Sequence, residues 1–285
     1  MANSAYASGL NLDAMMVPVK AATVYAAQEN SLYLPGGIVP VISVPAGSAS
    51  AQVPVMGSVT ATTITSEGIG GSGDPQDFET KLPSDTKKTI SLELTAARTV
   101  LRDLGGVDTA DMGRILGNAI ATSFDSAVTK TFAGLTEQEL AGTGTALGID
   151  AIFTAIATIR GAGENGQLVG VVSTDAYAAL MAEIGSSAYA GGEFQNGAMR
   201  TGFFGHIAGV NCFVSSYLNN TVLGSAVNPK MAIMSRDAVK AATQGGVKLE
   251  VARRPEAVGY DIVASLAHGQ SVVDATRGVL IIDQS

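Results

Sequence analysis

His206 and His268 are the chain's two imidazoles and Cys212 its one thiol. An imidazole could act as a general base or bind zinc, but neither histidine sits in a His-Glu-x-x-His or comparable ligand spacing. No Gly-x-Ser-x-Gly elbow is present to make a serine nucleophile. Cys212 lies in the apolar run Val210-Asn211-Cys212-Phe213-Val214, the setting of a buried strand thiol rather than an activated thiolate. The carboxylate pairs Glu137 with Glu139 and Asp74 with Asp77 could do acid–base work, but they occupy polar, loop-like stretches where acids titrate as solvated surface. Two stretches match the dinucleotide fingerprint by letter. Gly68 to Gly73 is followed by Asp74-Pro75 rather than a helix, and Gly161 to Gly166 follows a helix and precedes a strand, the reverse of the required order. Turn chemistry is the better reading of both. The basic doublets Lys87-Lys88 and Arg253-Arg254 fit rim salt bridges or hairpin-edge solubility better than phosphate binding. Asn219-Asn220-Thr221 is a glycosylation sequon by letter, without a secretion signal to give it use. The residues therefore predict no catalytic group, no metal and no cofactor.

Composition agrees with a non-chemical role. Charged residues are 15% of the 285, against about 25% in ordinary soluble domains. The apolar set is 46%, with 34 glycines besides, which excludes a disordered chain. Acids exceed bases by 25 to 17, a net charge of −8, and the bases are scattered, so sequence-reading nucleic-acid binding is not expected. A single cysteine permits no internal disulfide. Met1 to Met16 has no basic residue ahead of its apolar positions, and no run approaches a membrane span, so a soluble, untargeted protein is expected. The length suggests two domains or one large one. A mean hydropathy of +0.28 leaves apolar surface that one globule has difficulty hiding, so burial between subunits is expected.

The elements follow from periodicity. Met1 to about Ala51, with Pro35-Gly36-Gly37 and prolines at 40 and 45, reads as an extended arm with little internal packing. Val53, Val55, Val59 and Ala61 alternate weakly. Ile90, Leu92 and Leu94 alternate more strongly in a strand from Thr89 to Thr95. The glycine-rich, charged stretch Ser66 to Lys88 between them makes a long hairpin with a loose tip. Asp108 is a candidate N-cap, with Asp111 three residues on. Met112, Ile115, Leu116, Ala119, Ile120, Phe124, Ala127, Val128 and Phe132 then mark one long amphipathic helix ending near Gly134, roughly 38 Å if about 25 residues long. A helical stripe from Ile149 to Ile159 ends at Gly161, Leu168 to Val172 is a buried strand, and Ser173 or Thr174 caps a helix running to Gly185. Ser186 to Gly205 is a glycine-rich loop. Strands are expected at Val210–Ser215, Met231–Met234, Val247–Val251, Asp261–Ala267 and Val279–Ile282, with a short helix at Arg236–Ala242.

The fold class is α+β, and the order of elements resembles the major capsid proteins of tailed bacteriophages, the Hong Kong ninety-seven fold that encapsulin shells share. Local stretches carry the resemblance: Leu168 to Ser173 before a helix, Gly205 to Val210 leading into a strand, Met231 to Ser235, and the closing run Gly269 to Ile282. The resemblance implies an N-terminal arm (1–51), an extended β-hairpin loop (52–101), a peripheral domain with a spine helix (102–147 and 246–285) and an α/β axial domain (148–245). It also implies self-assembly as hexamers and pentamers into an icosahedral head enclosing double-stranded DNA, assembled in the host cytoplasm and residing in the virion. The implied partners are further copies of the chain, portal, scaffolding and decoration proteins, and non-specific contact with packaged DNA, with no membrane. Some relatives join subunits by a lysine–asparagine isopeptide bond assisted by a glutamate. Lys81, Lys87 and Lys88 lie on the predicted hairpin, but no asparagine or glutamate can be matched, so no crosslink is expected. The apolar arm does not resemble the charged helical segment that some relatives trim, so little or no trimming is expected. An encapsulin-type nanocompartment shell is the alternative function, and a small α/β enzyme using the glycine loops near Gly68 or Gly163 is a third.

Overall fold

A computed structural model describes residues 9–55, 86–102, 109–140, 146–185, 206–223, 228–257 and 259–283. The hairpin tip, Val59, Ala61, Gly68–Gly73, Asp74, Asp77, Lys81, Asp108 and the loop 186–205 lie outside the described residues.

The architecture is mixed α and β. Helix α1 (Gly9–Asn30) leads to strands β1 (Val41–Val44), β2 (Ser50–Val55), β3 (Thr86–Ser91) and β4 (Glu93–Arg102). Helix α2 (Thr109–Lys130) passes into a 3-10 turn over Thr131–Gly134 and then β5 (Thr136–Glu139). Helix α3 (Ile149–Gly161), β6 (Leu168–Ser173), α4 (Thr174–Gly185), β7 (His206–Ile207), β8 (Val210–Ser215) and α5 (Asn220–Leu223) follow. The chain closes with β9 (Asn228–Ser235), β10 (Val239–Arg254), β11 (Gly259–Val272) and β12 (Gly278–Asp283).

The long helix is where the apolar spacing puts it. Its 22 residues span about 33 Å at 1.5 Å per residue. Met112, Leu116, Ile120, Phe124 and Val128, four residues apart, are all buried, whereas Ile115 of the expected stripe is 63% exposed. The buried row packs between two sheets. A four-stranded sheet has the order β1-β10-β11-β4, and a six-stranded sheet the order β5-β12-β9-β6-β8-β7. One core joins the α2 row to Val169 and Val171 of β6, Leu280 and Ile282 of β12, and Ile262, Ala264 and Leu266 of β11. The other face of the larger sheet is covered by α3 and α4 through Ile152, Ile159 and Leu180. All six residues of β6 are buried, as expected of a central strand with partners on both sides.

Three expectations are corrected. The arm is not extended throughout: α1 is a 22-residue helix lying parallel to α2, and only Val41–Val44 forms an edge strand, parallel to β10. The expected short helix at Arg236–Ala242 is a tight turn, with the Ala238 amide on the Ser235 carbonyl at 3.1 Å, followed by the start of β10. Strands on both sides of Val239–Ala242 decide this, because β1 and β11 claim its backbone groups. The strand expected at Thr89–Thr95 divides at Leu92. Ile90 is fully buried while Leu94 is 71% exposed, because the chain passes there from the β2–β3 ribbon to the edge of the four-stranded sheet. β5 and β12 belong to the sheet of β6, β8 and β9, while β10 belongs to the smaller sheet.

Candidate functional site

The structure disperses the residues whose types could do chemistry. Cys212 is buried on β8, and desolvation pushes its thiol up to about 12, so the thiolate is absent at neutral pH. His206 is exposed and bonds Asn211 at 2.9 Å across the β7–β8 hairpin, whose turn, Ala208-Gly209, has positive φ at both residues, the requirement of a two-residue type I′ hairpin. His268, on β11, is 2% exposed. Its Nε2 meets the Thr95 hydroxyl at 2.9 Å, its Nδ1 meets Gln270 at 3.2 Å, and its ring stands edge-on to Phe124, 5.2 Å between centroids. Burial lowers its pKa, with Gln270 and Glu93 pulling the other way. This network fits a neutral imidazole joining α2 to the sheet.

The remaining candidates are also structural. Glu137 and Glu139 are exposed, but on strand β5, parallel to β12, rather than in a loop. Gly161 ends α3 and residues 162–166 lead toward β6, while Arg160 folds back onto the carbonyls of Glu164 and Gly166, each at 2.9 Å. Lys87 and Lys88 are strand residues of β3, exposed on the ribbon. Arg253 stacks over Tyr260 at 4.9 Å, while Arg254 reaches Glu256 and Asp261, each at 4.0 Å, and Arg98 pairs with that same Asp261. No group of three metal-ligating side chains occurs among the described residues.

Sequence reasoning missed two polar clusters. Asp125, inside the α2 stripe and 2% exposed, accepts from the Ser31 hydroxyl at 2.6 Å and the Leu32 amide at 2.8 Å, with the Tyr33 amide farther off at 3.4 Å. It thereby fastens the end of α1 to α2. Arg277, in the turn before β12, gathers Glu164 and Asp274, each at 3.1 Å, and Asp237 at 3.8 Å. Burial pushes the Asp274 carboxyl up, but two bonds from Thr276 and the charge of Arg277 prevail and hold it below the usual range. Three surface turns, separated in sequence by more than 30 residues each, meet at this guanidinium. Only the acid-base spacing between Asp274 and Arg277 was visible beforehand.

What remains without a partner is surface. Val17 and Tyr25 of α1, Ile115 of α2, Leu94 and Val100 of β4, and Phe153 of α3 are all large apolar residues more than one-third exposed. Strand β4 is an open edge of ten residues, and such an edge offers unpaired backbone groups to another chain. The described part of the β2–β3 ribbon is anchored where Val53 and Ile90 pack on Val44, Ala242 and Val273. Beside that root, an open recess of about 350 Å³ is lined by Leu92, Glu93, Leu94, Gln244 and Lys248, among others. It brings one acid, one base and the hydroxyl residues Ser48 and Ser265 to a shallow, open wall.

A ribbon on a sheet corner, a long helix between two sheets and an α/β layer beyond it make the Hong Kong ninety-seven fold of phage major capsid proteins. The capsid structure of cyanophage P-SCSP1u aligns with a TM-score of 0.64 at 18% identity, over 85% of each chain. The capsid of a native GTA particle gives 0.63 at 17%, over 88% of this chain and 96% of that one. The virus-like particle from Pyrococcus furiosus gives 0.62 at 11%, over 92% and 97%. No protein-family model and no curated protein matches the sequence. At these identities the shared property is the fold.

Proposed function

We propose that this chain is the major capsid protein of a tailed phage or phage-like particle, assembling as hexamers and pentamers into an icosahedral head around double-stranded DNA. The carrying observation is the likeness to capsid structures over more than four-fifths of the chain. The physics supports it: the open β4 edge and the exposed apolar residues on α1, α2 and β4 are surfaces that further copies could cover with closed symmetry. The work done is association, with no bond made or broken and no covalent weld between subunits. In this reading the segments act as arm, extended loop, peripheral domain and axial domain. The portal, scaffolding and decoration proteins and the packaged DNA are the partners, and the virion, assembled in the host cytoplasm, is the location.

The test is to express the chain, fractionate by size and image the heavy fraction by electron microscopy. Closed shells or capsomer rings are expected. A compact monomer at all concentrations and salts overturns the proposal. The second reading, an encapsulin-type compartment, is supported by the likeness to the virus-like particle from Pyrococcus furiosus. Shells purified from the native source separate the two: DNA and a portal belong to the head, and an enclosed cargo protein belongs to the compartment.

A further inference from the structure

The turn between α3 and β6 carries a dipeptide with chemistry of its own, Asn165-Gly166. In an asparagine followed by glycine, the glycine amide nitrogen can attack the asparagine side-chain carbonyl, because no Cβ on the second residue crowds the approach. The turn around this step is held from several directions. The Ala162, Gly163 and Glu164 amides donate to the carbonyls of Thr158, Arg160 and Ile159, at 3.1, 3.0 and 3.4 Å. The Arg160 guanidinium grips the carbonyls of Glu164 and Gly166, each at 2.9 Å. Asn165 is the exception: it is exposed, and among the described residues no hydrogen bond fixes its side chain.

The amide that would attack is already engaged by a carboxylate. The Gly166 N–H donates to Glu164 Oε1 at 2.8 Å, within the reach required of a general base for the proton it removes. Only glycine at 166 admits this seat, since a Cβ there would lie 2.7 Å from the same oxygen. The other oxygen, Oε2, is taken by Arg277 at 3.1 Å, and the Glu164 side chain is only 12% exposed. Arg277 is itself shared with Asp274 at 3.1 Å and Asp237 at 3.8 Å, and Asp237 also meets Lys240 at 3.3 Å. The turn before β12 therefore aims the carboxylate at the amide. Their hydrogen bond runs along the N–H direction, in the peptide plane. The incoming side-chain carbon approaches the nitrogen from a face of that plane, so base and electrophile do not compete for space.

We propose that Asn165-Gly166 is a self-modification site at which Glu164, aimed by Arg277, is the general base for deamidation. Glu164 accepts the Gly166 amide proton as that nitrogen bonds to Asn165 Cγ. The Cγ–Nδ2 bond then breaks, and Nδ2 leaves as ammonia, taking the proton back from the Glu164 carboxyl. The product is a cyclic succinimide. Solvent water opens it at either carbonyl, giving aspartate or isoaspartate, and no oxidant or reductant takes part. Each event adds one negative charge, and in isoaspartate one backbone carbon, to the turn between α3 and β6. The inference stands whether or not the chain forms a shell.

The test is to incubate the full chain from pH 5 to 8, digest it, and resolve asparagine, aspartate and isoaspartate at position 165 by chromatography and mass spectrometry. Asn196-Gly197, the second such step in the sequence, is read in the same digests. In the wild type the rate at 165 should level off below neutral pH, because a carboxylate supplies base independently of hydroxide. Glu164→Gln keeps the side-chain shape and an oxygen acceptor but not the base. It should slow deamidation at pH 6 by about tenfold and make the rate proportional to hydroxide throughout. A base matched to its proton is worth about a hundredfold or more, and a carboxylate facing an amide N–H is far from matched. Arg277→Ala, which frees the carboxylate to leave the amide, should lower the plateau without removing it. The rate at 196 should be unchanged in both variants. Equal or faster deamidation at 165 in Glu164→Gln, a wild-type rate proportional to hydroxide over the whole range, an Arg277→Ala plateau at wild-type height, or an equal fall at 196 would each overturn the proposal. So would a wild-type chain intact at 165 while 196 deamidates.

Discussion

Gly269→Ala tests the junction that aims the ribbon. Gly269 pairs with Ala242 on β10, and on its other side the chain crosses from β3 to β4. A Cβ there falls inside contact distance of the Ser91 carbonyl oxygen, and 3.0 Å from both the Ser91 carbonyl carbon and the Ile90 Cγ2. Carbon–oxygen contacts run at about 3.3–3.6 Å, so the ribbon root must retreat by about 1 Å. Ser91 is backbone and Ile90 is fully buried, so neither can swing aside as a long side chain would. Overpacking of this kind costs about 1–3 kcal/mol. Retreat also stretches the Leu92 amide bond to the Ala49 carbonyl, now 3.0 Å, adding about 1 kcal/mol. The total of about 2–4 kcal/mol lowers Tm by about 4–8 °C at the slope of a large domain, roughly 2 °C per kcal/mol. Gly246→Ala is the control: it lies in the bulge of β10, where an added Cβ meets nothing within 4 Å and φ is not positive, so it should melt within about 1 °C of wild type. Calorimetry on the unassembled chain is the assay. A Gly269→Ala chain melting with the control would refute the claim that glycine is needed for this crossing.

Three further outcomes follow from individual side chains. The native state disfavours protonation of His268, so its stabilising contribution is full above the ordinary histidine value of about 6.5 and is lost as the pH falls toward the lowered one. Urea midpoints measured from pH 7.5 to 5 should show this slope in the wild type and lose it in His268→Gln. Cys212 should resist thiol reagents at pH 8 in the native chain and react fully in urea, because its thiol is both buried and protonated; rapid native labelling would contradict the buried-strand assignment. Arg277→Ala leaves Glu164, Asp237 and Asp274 without their shared cation. The guanidinium is 38% exposed, so screening holds the loss to about 1 kcal/mol. The wild-type advantage in thermal melts should shrink in 0.5 M salt.

The sequence displayed its elements wherever one face of an element is apolar, and hid them where contact is made by small residues or by several strands at once. The row Met112, Leu116, Ile120, Phe124 and Val128 is a spacing that only a helix satisfies, and α2 appears there. Leu168 to Val172 is continuous and β-branched, and β6 lies at the centre of its sheet. Over its described side chains, helix α1 shows no such stripe, because its buried residues there are Val19, Thr23, Ala26 and Ala27, facing glycines on the opposite helix. Two glycines in α2, spaced by four, were the available signal, since they create the groove that a second helix fills. Asp125 was unreadable for a related reason. A carboxylate in the middle of an apolar row looks like a solvated position, and its donors lie more than 90 residues away.

Exposed surface was legible only as a sum. Mean hydropathy showed that apolar area remained over, but Leu94 was assigned to the same face as Ile90, and Ile115 to the buried stripe. Both errors place at the core a side chain that belongs to the outside. Single exposed apolar side chains are common on folded surfaces, so the period of a leucine or isoleucine does not by itself tell core from surface. Leu94 at 71% and Ile115 at 63% exposure lie on different elements, the first on edge strand β4 and the second on α2. In the proposed shell, separate neighbouring copies would cover these two elements.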